Sequence, residues 1–256
     1  MTIWLFGDSI FRGTPVVLRP DLISPERAAR IPLWAFRSPA AVMNLLLGEG
    51  AVRRGGQTRL PKGVKQCARE LDALYRSDDF RADDVIVMLD VGPHVGDPNE
   101  HEALWRGLRQ AAVARQPVRL LICEGFDNGA RGRISHQYSR PLRGRTMNDA
   151  IRAAALEAAP ERRGVTGFVP VAAAMARYHR FLSERFGMGA YRPDGIHLNV
   201  WGQFRLCGVL LQAIHPSRPV DLGPLLELAC DLEPHLDLKG EDLRGAVQAA
   251  FAAAAG

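Results

Sequence analysis

Two short blocks near opposite ends of the chain hold the three side chains of nucleophilic acyl-transfer chemistry. The first is Gly7-Asp8-Ser9 and the second is Pro193-Asp194-Gly195-Ile196-His197. A serine hydroxyl is a weak nucleophile until a base takes its proton, and His197 is the base best placed to do so. Asp194 lies three residues before it. One tight turn can then aim the carboxylate at the imidazole, fixing its tautomer and stabilising the imidazolium formed during attack. Either block alone is weak, because a lone serine is more often a helix cap and a lone histidine more often a core residue. Together they supply a nucleophile, a base and an orienting carboxylate. Asp8 is read as support for the turn rather than as part of the chemistry.

The elements that must position these groups follow from the apolar pattern. Residues 2–6, Thr-Ile-Trp-Leu-Phe, read as a buried strand, and Gly7 lets the chain turn sharply. Ser9 then falls just beyond the carboxyl end of a strand, where ligands bind in open α/β sheets. Further strands are expected briefly at 51–54, then at 85–90, 118–123 and 167–171, with amphipathic helices between them. That alternation is the βαβ signature of a parallel sheet covered on both faces. Ser38-Pro39 supplies an N-cap and a first-turn proline for a helix that Gly48 stops after Leu47. Asn99 with Glu102 resembles a capping box for a helix to about residue 114, and Thr146 with Asp149 starts another that ends before Pro160. Asn199 caps a helix over 200–214. Beyond it, Pro216, Pro219, Pro224 and Pro234 break the chain, and one helix is expected over 241–255. Residues 1–215 thus form the main domain and 216–256 a short helical extension packed on it.

With these blocks in place, the chain resembles the SGNH/GDSL hydrolase superfamily over residues 2–214. The resemblance implies a flavodoxin-like three-layer α/β/α sandwich with a five-stranded parallel sheet, and a triad of Ser9, His197 and Asp194. It also implies an oxyanion hole made by the serine amide, a glycine amide in a second block and an asparagine side chain in a third. The second block matches Arg54-Gly55-Gly56-Gln57-Thr58, with Gly56 the best match and Gly55 one register away. Glycine suits the role because the backbone must approach the substrate closely. The third block departs from the family. Where Gly-x-Asn-Asp is expected, this chain reads Gly92-Pro93-His94-Val95, with His94 in the asparagine position. An imidazole N–H can donate to an oxyanion as an amide does. A Gly-His pair here also resembles a branch of polysaccharide O-acetyltransferases and esterases, which leaves both hydrolysis and transfer open.

Composition bounds the partners. The 256 residues carry a net charge of +5, and only Lys62, Lys65 and Lys239 among the 33 basic residues are lysine. Nucleic-acid binding concentrates basic residues on one stripe; here they are dispersed, and no nucleic-acid role is expected. The widely spaced Cys67, Cys123, Cys207 and Cys230 argue against zinc or a disulfide framework, and no metal or cofactor is expected. No leader sequence or membrane span is read, so the expected location is the cytoplasm. Residues 124–145 form a long loop holding Arg131, Arg133, Arg140, Arg143 and Arg145 with His136 and Tyr138. Arg140 and Arg143 are its candidates for gripping an anionic substrate, against a solvated loop as the plainer reading. His101, His179, His215 and His235 have no spacing that suggests a metal site. The resemblance thus implies a serine esterase acting on a small acyl ester, including O-acetyl on a sugar or metabolite. The alternatives are an O-acyltransferase using the same triad and a catalytically idle binding protein that keeps the fold.

Overall fold

The computed structural model describes residues 1–7, 9–12, 38–56, 63–89, 97–113, 118–127, 138–157, 164–191, 198–233 and 236–252. Five strands form one parallel sheet: β1 (Ile3–Phe6), β2 (Val52–Gly56), β3 (Val85–Leu89), β4 (Val118–Cys123) and β5 (Gly164–Val169), in the order β2-β1-β3-β4-β5. This is the strand order of the flavodoxin-like α/β/α class, and it reverses direction at β1. The fold class expected from the sequence is therefore the one observed.

The strands are continuous apolar runs because both faces of the sheet are buried. Trp4, Phe6, Ile86, Met88, Leu120 and Ile122 point to one face and join a core with helical residues including Leu71, Leu74, Trp105, Leu108, Met147 and Ile151. Those side chains come from α3 (Gly63–Arg76), α4 (Pro98–Val113) and α5 (Met147–Leu156). The alternate positions Ile3, Leu5, Val85, Val87, Leu89, Leu121 and Cys123 are buried as well. At one edge, β2 exposes Arg53 and Arg54. Charge on an edge strand opposes pairing with another chain.

The chain divides into two compact units. The first comprises Met1–Phe11 and Gly50–Ala173, which hold the sheet and α3 to α5. The second comprises Arg12–Glu49 and Ala174–Gly256. It contains α2 (Pro39–Leu47), most of α6 (Val171–Phe186), α7 (Val200–Ile214), α8 (Gly223–Asp231) and α9 (Gly240–Phe251). Within this unit α7 is buried along nearly its whole length and packs against α2 and α9. The extension past residue 215 is thus tied to α7. Arg205 donates from Nη1 to the carbonyls of Ala250 and Ala252 at 2.9 and 2.8 Å, and Gln212 to that of Phe251 at 3.1 Å. These bonds satisfy carbonyls that the end of α9 leaves without helical partners. Among the described residues, no helix is long and apolar enough to cross a membrane.

Several boundaries differ from the sequence expectations for physical reasons. β5 starts at Gly164 rather than 167 and ends at Val169, because pairing with β4 reaches Val118↔Gly164 and Pro170 has no amide to continue the ladder. The cap of α4 is Asp97, not Asn99. Its Oδ1 accepts from Asn99 N–H at 2.8 Å and its carbonyl from His101 N–H, with Pro98 at the first helical position. α8 was not expected, since Pro224 reads as a breaker; in the first turn it is compatible with a helix. The last helix is Gly240–Phe251 rather than 241–255.

The box at α5 is reciprocal: Asp149 N–H donates to Thr146 Oγ1 at 3.0 Å, and Thr146 N–H to Asp149 Oδ2 at 2.8 Å. The Thr146 N–H first, and then its hydroxyl, which donates to the same oxygen at 2.8 Å, hold the Asp149 carboxyl below the usual carboxylate range. Its contribution to stability is therefore complete above the ordinary aspartate pKa and lost as pH falls through the lowered folded value. Thr146→Ala should cost about 1 kcal/mol in urea unfolding at pH 7, with a smaller deficit below pH 3. An equal deficit at both pH values would place the effect outside the box.

Candidate functional site

The turn after β1 is built by close packing. Gly7 follows Phe6, and Ser9 is the first residue of α1 (Ser9–Arg12), whose Ile10 and Phe11 are buried. A Cβ added at Gly7 would lie 2.5 Å from Phe11 Cδ2, so the ring of the helix closes onto a bare Cα. Gly7 N–H also donates to Gly56 O at 3.0 Å, extending the β1–β2 ladder past the strand. The turn is therefore held from both sides, and it delivers Ser9 at the carboxyl end of β1. That is the point at which the strand order reverses, where open α/β sheets place their ligands.

The glycine block beside it is not a loop after a short strand, as the sequence suggests, but the end of the strand itself. β2 runs to Gly56, and Phe6 pairs with Gly56 across a register shift. The Phe6 ring occupies the position where a Cβ on Gly55 would sit, and the Glu70 carboxylate the corresponding position at Gly56. Only glycine allows the edge strand this close. The geometry brings Gly56 and the start of α1 to the same edge of the sheet.

Asp194 and His197 lie outside the described residues, as do Asp8 and His94, and Ser9 is described in its backbone alone. Tyr191 and Leu198 form an antiparallel bridge. Asn199 caps α7, accepting from Gly202 N–H at 3.1 Å, while its Nδ2 donates to Gly189 O at 2.7 Å and Tyr191 O at 3.4 Å. The described residues on either side of 192–197 are therefore paired with each other.

Of the loop after β4, residues 124–127 and 138–145 are described, and Arg131, Arg133 and His136 lie outside the described residues. Glu124 N–H donates to Val169 O at 2.9 Å, and its carboxylate accepts from Ala172 N–H at 2.8 Å, capping the start of α6. Burial pushes that carboxyl above the usual range, with the Ala172 bond opposing. Asn148 closes a two-way pair with Gly125, donating at 2.8 Å and accepting at 3.0 Å. Tyr138 is buried in the core, its amide donating to Asp127 Oδ1 at 2.8 Å. Residues 142–145 make a tight hairpin: Leu142 and Arg145 exchange backbone bonds of 2.8 and 3.2 Å, and Arg143 and Gly144 both have positive φ, 53° and 80°. Arg143 pairs with Asp97 at 3.0 Å, and Arg145 with Glu102 at 2.5 Å and Asn99 at 3.0 Å. These ties fasten the hairpin to the start of α4. Arg140 is exposed.

Burial pushes the Cys67 thiol up to about 12, with Glu70 adding to the effect, and raises Cys123 and Cys207 as well. Those three therefore stay protonated and are poor nucleophiles. Among the described residues, no group of His, Cys, Asp and Glu could hold a metal ion. Glu124 and Asn148 were missed in the sequence because their partners are backbone groups across the sheet edge. Only the β4–β5 register, Cys123↔Val169, reveals the first of them.

No family model matches the chain, and no curated protein sequence matches it. A solved structure of a lipase/acylhydrolase from Enterococcus faecalis is similar over 86% of this chain and 97% of its own, at 15% identity and a TM-score of 0.46. A likeness that distant says nothing about chemistry.

The hairpin offers a direct test. Arg143 is a non-glycine residue in the left-handed region, and its side chain is 75% exposed. Left-handed backbone costs an ordinary residue roughly 1–2 kcal/mol and asparagine less, while an exposed ion pair contributes about 0–1 kcal/mol. Arg143→Asn should therefore unfold within about 1 kcal/mol of the parent protein, whereas β-branched Arg143→Val should lose more. Equal large losses in both would mean that the ion pair, not the backbone, controls the turn.

Proposed function

We propose that this protein is a serine ester hydrolase in which Ser9 is the nucleophile, His197 its base and Asp194 the carboxylate that orients the base. The observation that carries the proposal is the placement of Ser9 on a packed strand-to-helix turn at the sheet edge where the strand order reverses. The Asp194–His197 spacing and the bridged flanks of that segment support it. In this reading His197 takes the Ser9 proton as the hydroxyl oxygen attacks the acyl carbon. The negative charge formed on the carbonyl oxygen is met by the Ser9 and Gly56 amides and the His94 imidazole N–H. Collapse expels the alcohol, which leaves with the proton held by His197. Water, deprotonated by the same imidazole, then frees the acid from the acyl-enzyme.

The substrate class proposed is a small acyl ester, with O-acetyl on a sugar or metabolite favoured by the Gly-Pro-His block. Arg140 and Arg143 would meet an anionic group on it, Arg143 sharing its charge with Asp97. An O-acyltransferase differs only in the acceptor that resolves the acyl-enzyme, and sugar hydroxyls offered beside water distinguish the two.

Ser9→Ala should lower turnover of aryl acetates by roughly 10⁴–10⁶-fold and abolish labelling by a fluorophosphonate probe, with the melting temperature little changed. His197→Ala should lose a similar factor, and the double variant no more than either alone, because the two act as one unit. Unchanged turnover in folded Ser9→Ala would sink the assignment.

His94 is tested separately. Removing one oxyanion donor lowers kcat by roughly 10²–10³-fold, so His94→Ala should show that loss and His94→Asn should recover much of it. Full activity in His94→Ala would leave the Ser9 and Gly56 amides as the donors.

A further inference from the structure

We propose that His179, in α6, is a positioning residue that holds Gly189, Ala190 and Tyr191, the residues leading to Asp194 and His197, through the backbone of Ala190. The proposal rests on the catalytic reading of Asp194 and His197 given above. His179 Nδ1 accepts from Ala190 N–H at 3.1 Å. Its ring lies 5.3 Å from that of Tyr191, tilted by 58°. It also covers Gly189, where an added Cβ would sit 2.7 Å from Cε1 and 2.9 Å from Nδ1. A single imidazole thus touches three consecutive residues immediately before 192–197.

From the other side, Asn199 N–H donates to Ala190 O at 3.1 Å, and Asn199 Nδ2 reaches Gly189 O and Tyr191 O. Both backbone polar groups of Ala190 are therefore engaged, one by α6 and one by the cap of α7. Ala190 is fully buried, and its carbonyl lies against the bare Cα of Gly202. The approach from α6 is fixed as well. Gly187 has φ of 68°, its N–H donates to Ser183 O at 3.1 Å, and Met188 N–H donates to Leu182 O at 3.4 Å. These two bonds close the helix with a left-handed glycine, as helix ends commonly do. His179 stands two turns before that end and reaches forward over it.

Accepting at Nδ1 requires a neutral ring with its proton on Nε2. Burial lowers the pKa of His179, which favours that neutral form. The geometry specifies an acceptor at the δ position of the side chain. Asparagine places Oδ1 there, glutamine carries its oxygen one atom further out, and leucine supplies no acceptor. A reacting group displaced by about 1 Å can cost 10²-fold in rate, so an anchor of this kind acts on kcat.

The test compares His179→Asn, His179→Gln and His179→Leu with the parent chain by peptide-resolved hydrogen exchange and by aryl acetate kinetics. Exchange across 187–199 should accelerate in the Leu and Gln variants and stay near the parent rate in the Asn variant. kcat should fall by roughly 10–10²-fold in Leu and Gln with KM little changed, and Asn should restore most of it. Should Leu fail to fold, Asn against Gln carries the same contrast. Parent-like exchange in the Leu or Gln variant, or rescue by Gln equal to that by Asn, overturns the anchor. Turnover that persists in Ser9→Ala overturns the catalytic reading instead, and the exchange measurement then decides the anchor by itself.

Discussion

The close approach of backbones at the carboxyl end of β1 is the constraint on which the candidate site depends. The Phe6 ring fills the space over Gly55 and crowds Gly56, while Phe11 closes onto Gly7. Side chains at those glycines would overpack the region, and overpacking typically costs about 1–3 kcal/mol. The result is a strand-to-helix turn with little freedom to shift, hydrogen-bonded to its neighbour through Gly7 and Gly56. Its glycines are therefore packing requirements of the core, whatever chemistry the turn carries.

The second unit secures its own segment by a different means. α7 is buried on nearly every face, so its position is fixed by apolar packing, with Arg205 satisfying the carbonyl end of α9. The α7 cap, Asn199, then divides its side chain between two partners: the oxygen accepts from Gly202, and the amide donates to the carbonyls of Gly189 and Tyr191. An N-cap normally satisfies only its own helix. Here the same residue also holds Gly189 and Tyr191, so the rigidity of α7 is passed to those residues. The extension past residue 215 contributes to this rigidity through its bonds to Arg205 and Gln212.

Most of the sheet was legible in the sequence because its strands are buried on both faces and so read as unbroken apolar runs. β2 was harder. It is an edge strand ending in Arg53-Arg54-Gly55-Gly56, and nothing local distinguishes glycines that end a strand from glycines that make a turn. The distinction lies in the Phe6 ring, which is remote in sequence. Helix starts were legible where the cap is adjacent, at Ser38, Thr146 and Asn199, and misplaced at α4, where Asp97 and Pro98 precede the more conspicuous Asn99. Pro224 was read as a break because a proline signals both the end of one helix and the first turn of another. Of the candidate site, the serine and the glycine block could be placed in the fold, while Asp194, His197 and His94 fall outside the described residues. His179 carried no sequence signal at all, since its partner is a backbone amide and not a second titratable side chain.

One arrangement recurs at the loops that follow strands and helices here. A polar side chain at or near a helix start reaches back to the backbone of a preceding loop: Asn148 to Gly125, Asn199 to Gly189 and Tyr191. Glu124 does the converse, reaching from a loop to the amide of Ala172 at the start of α6. Each bond satisfies a backbone group that regular secondary structure leaves open, so its removal costs more than an average hydrogen bond. Backbone partners also tolerate any side chain on the residue they hold. Loop residues can then vary while the helices go on holding the loop, and an exposed side chain such as Arg140 can be exchanged without disturbing those backbone bonds.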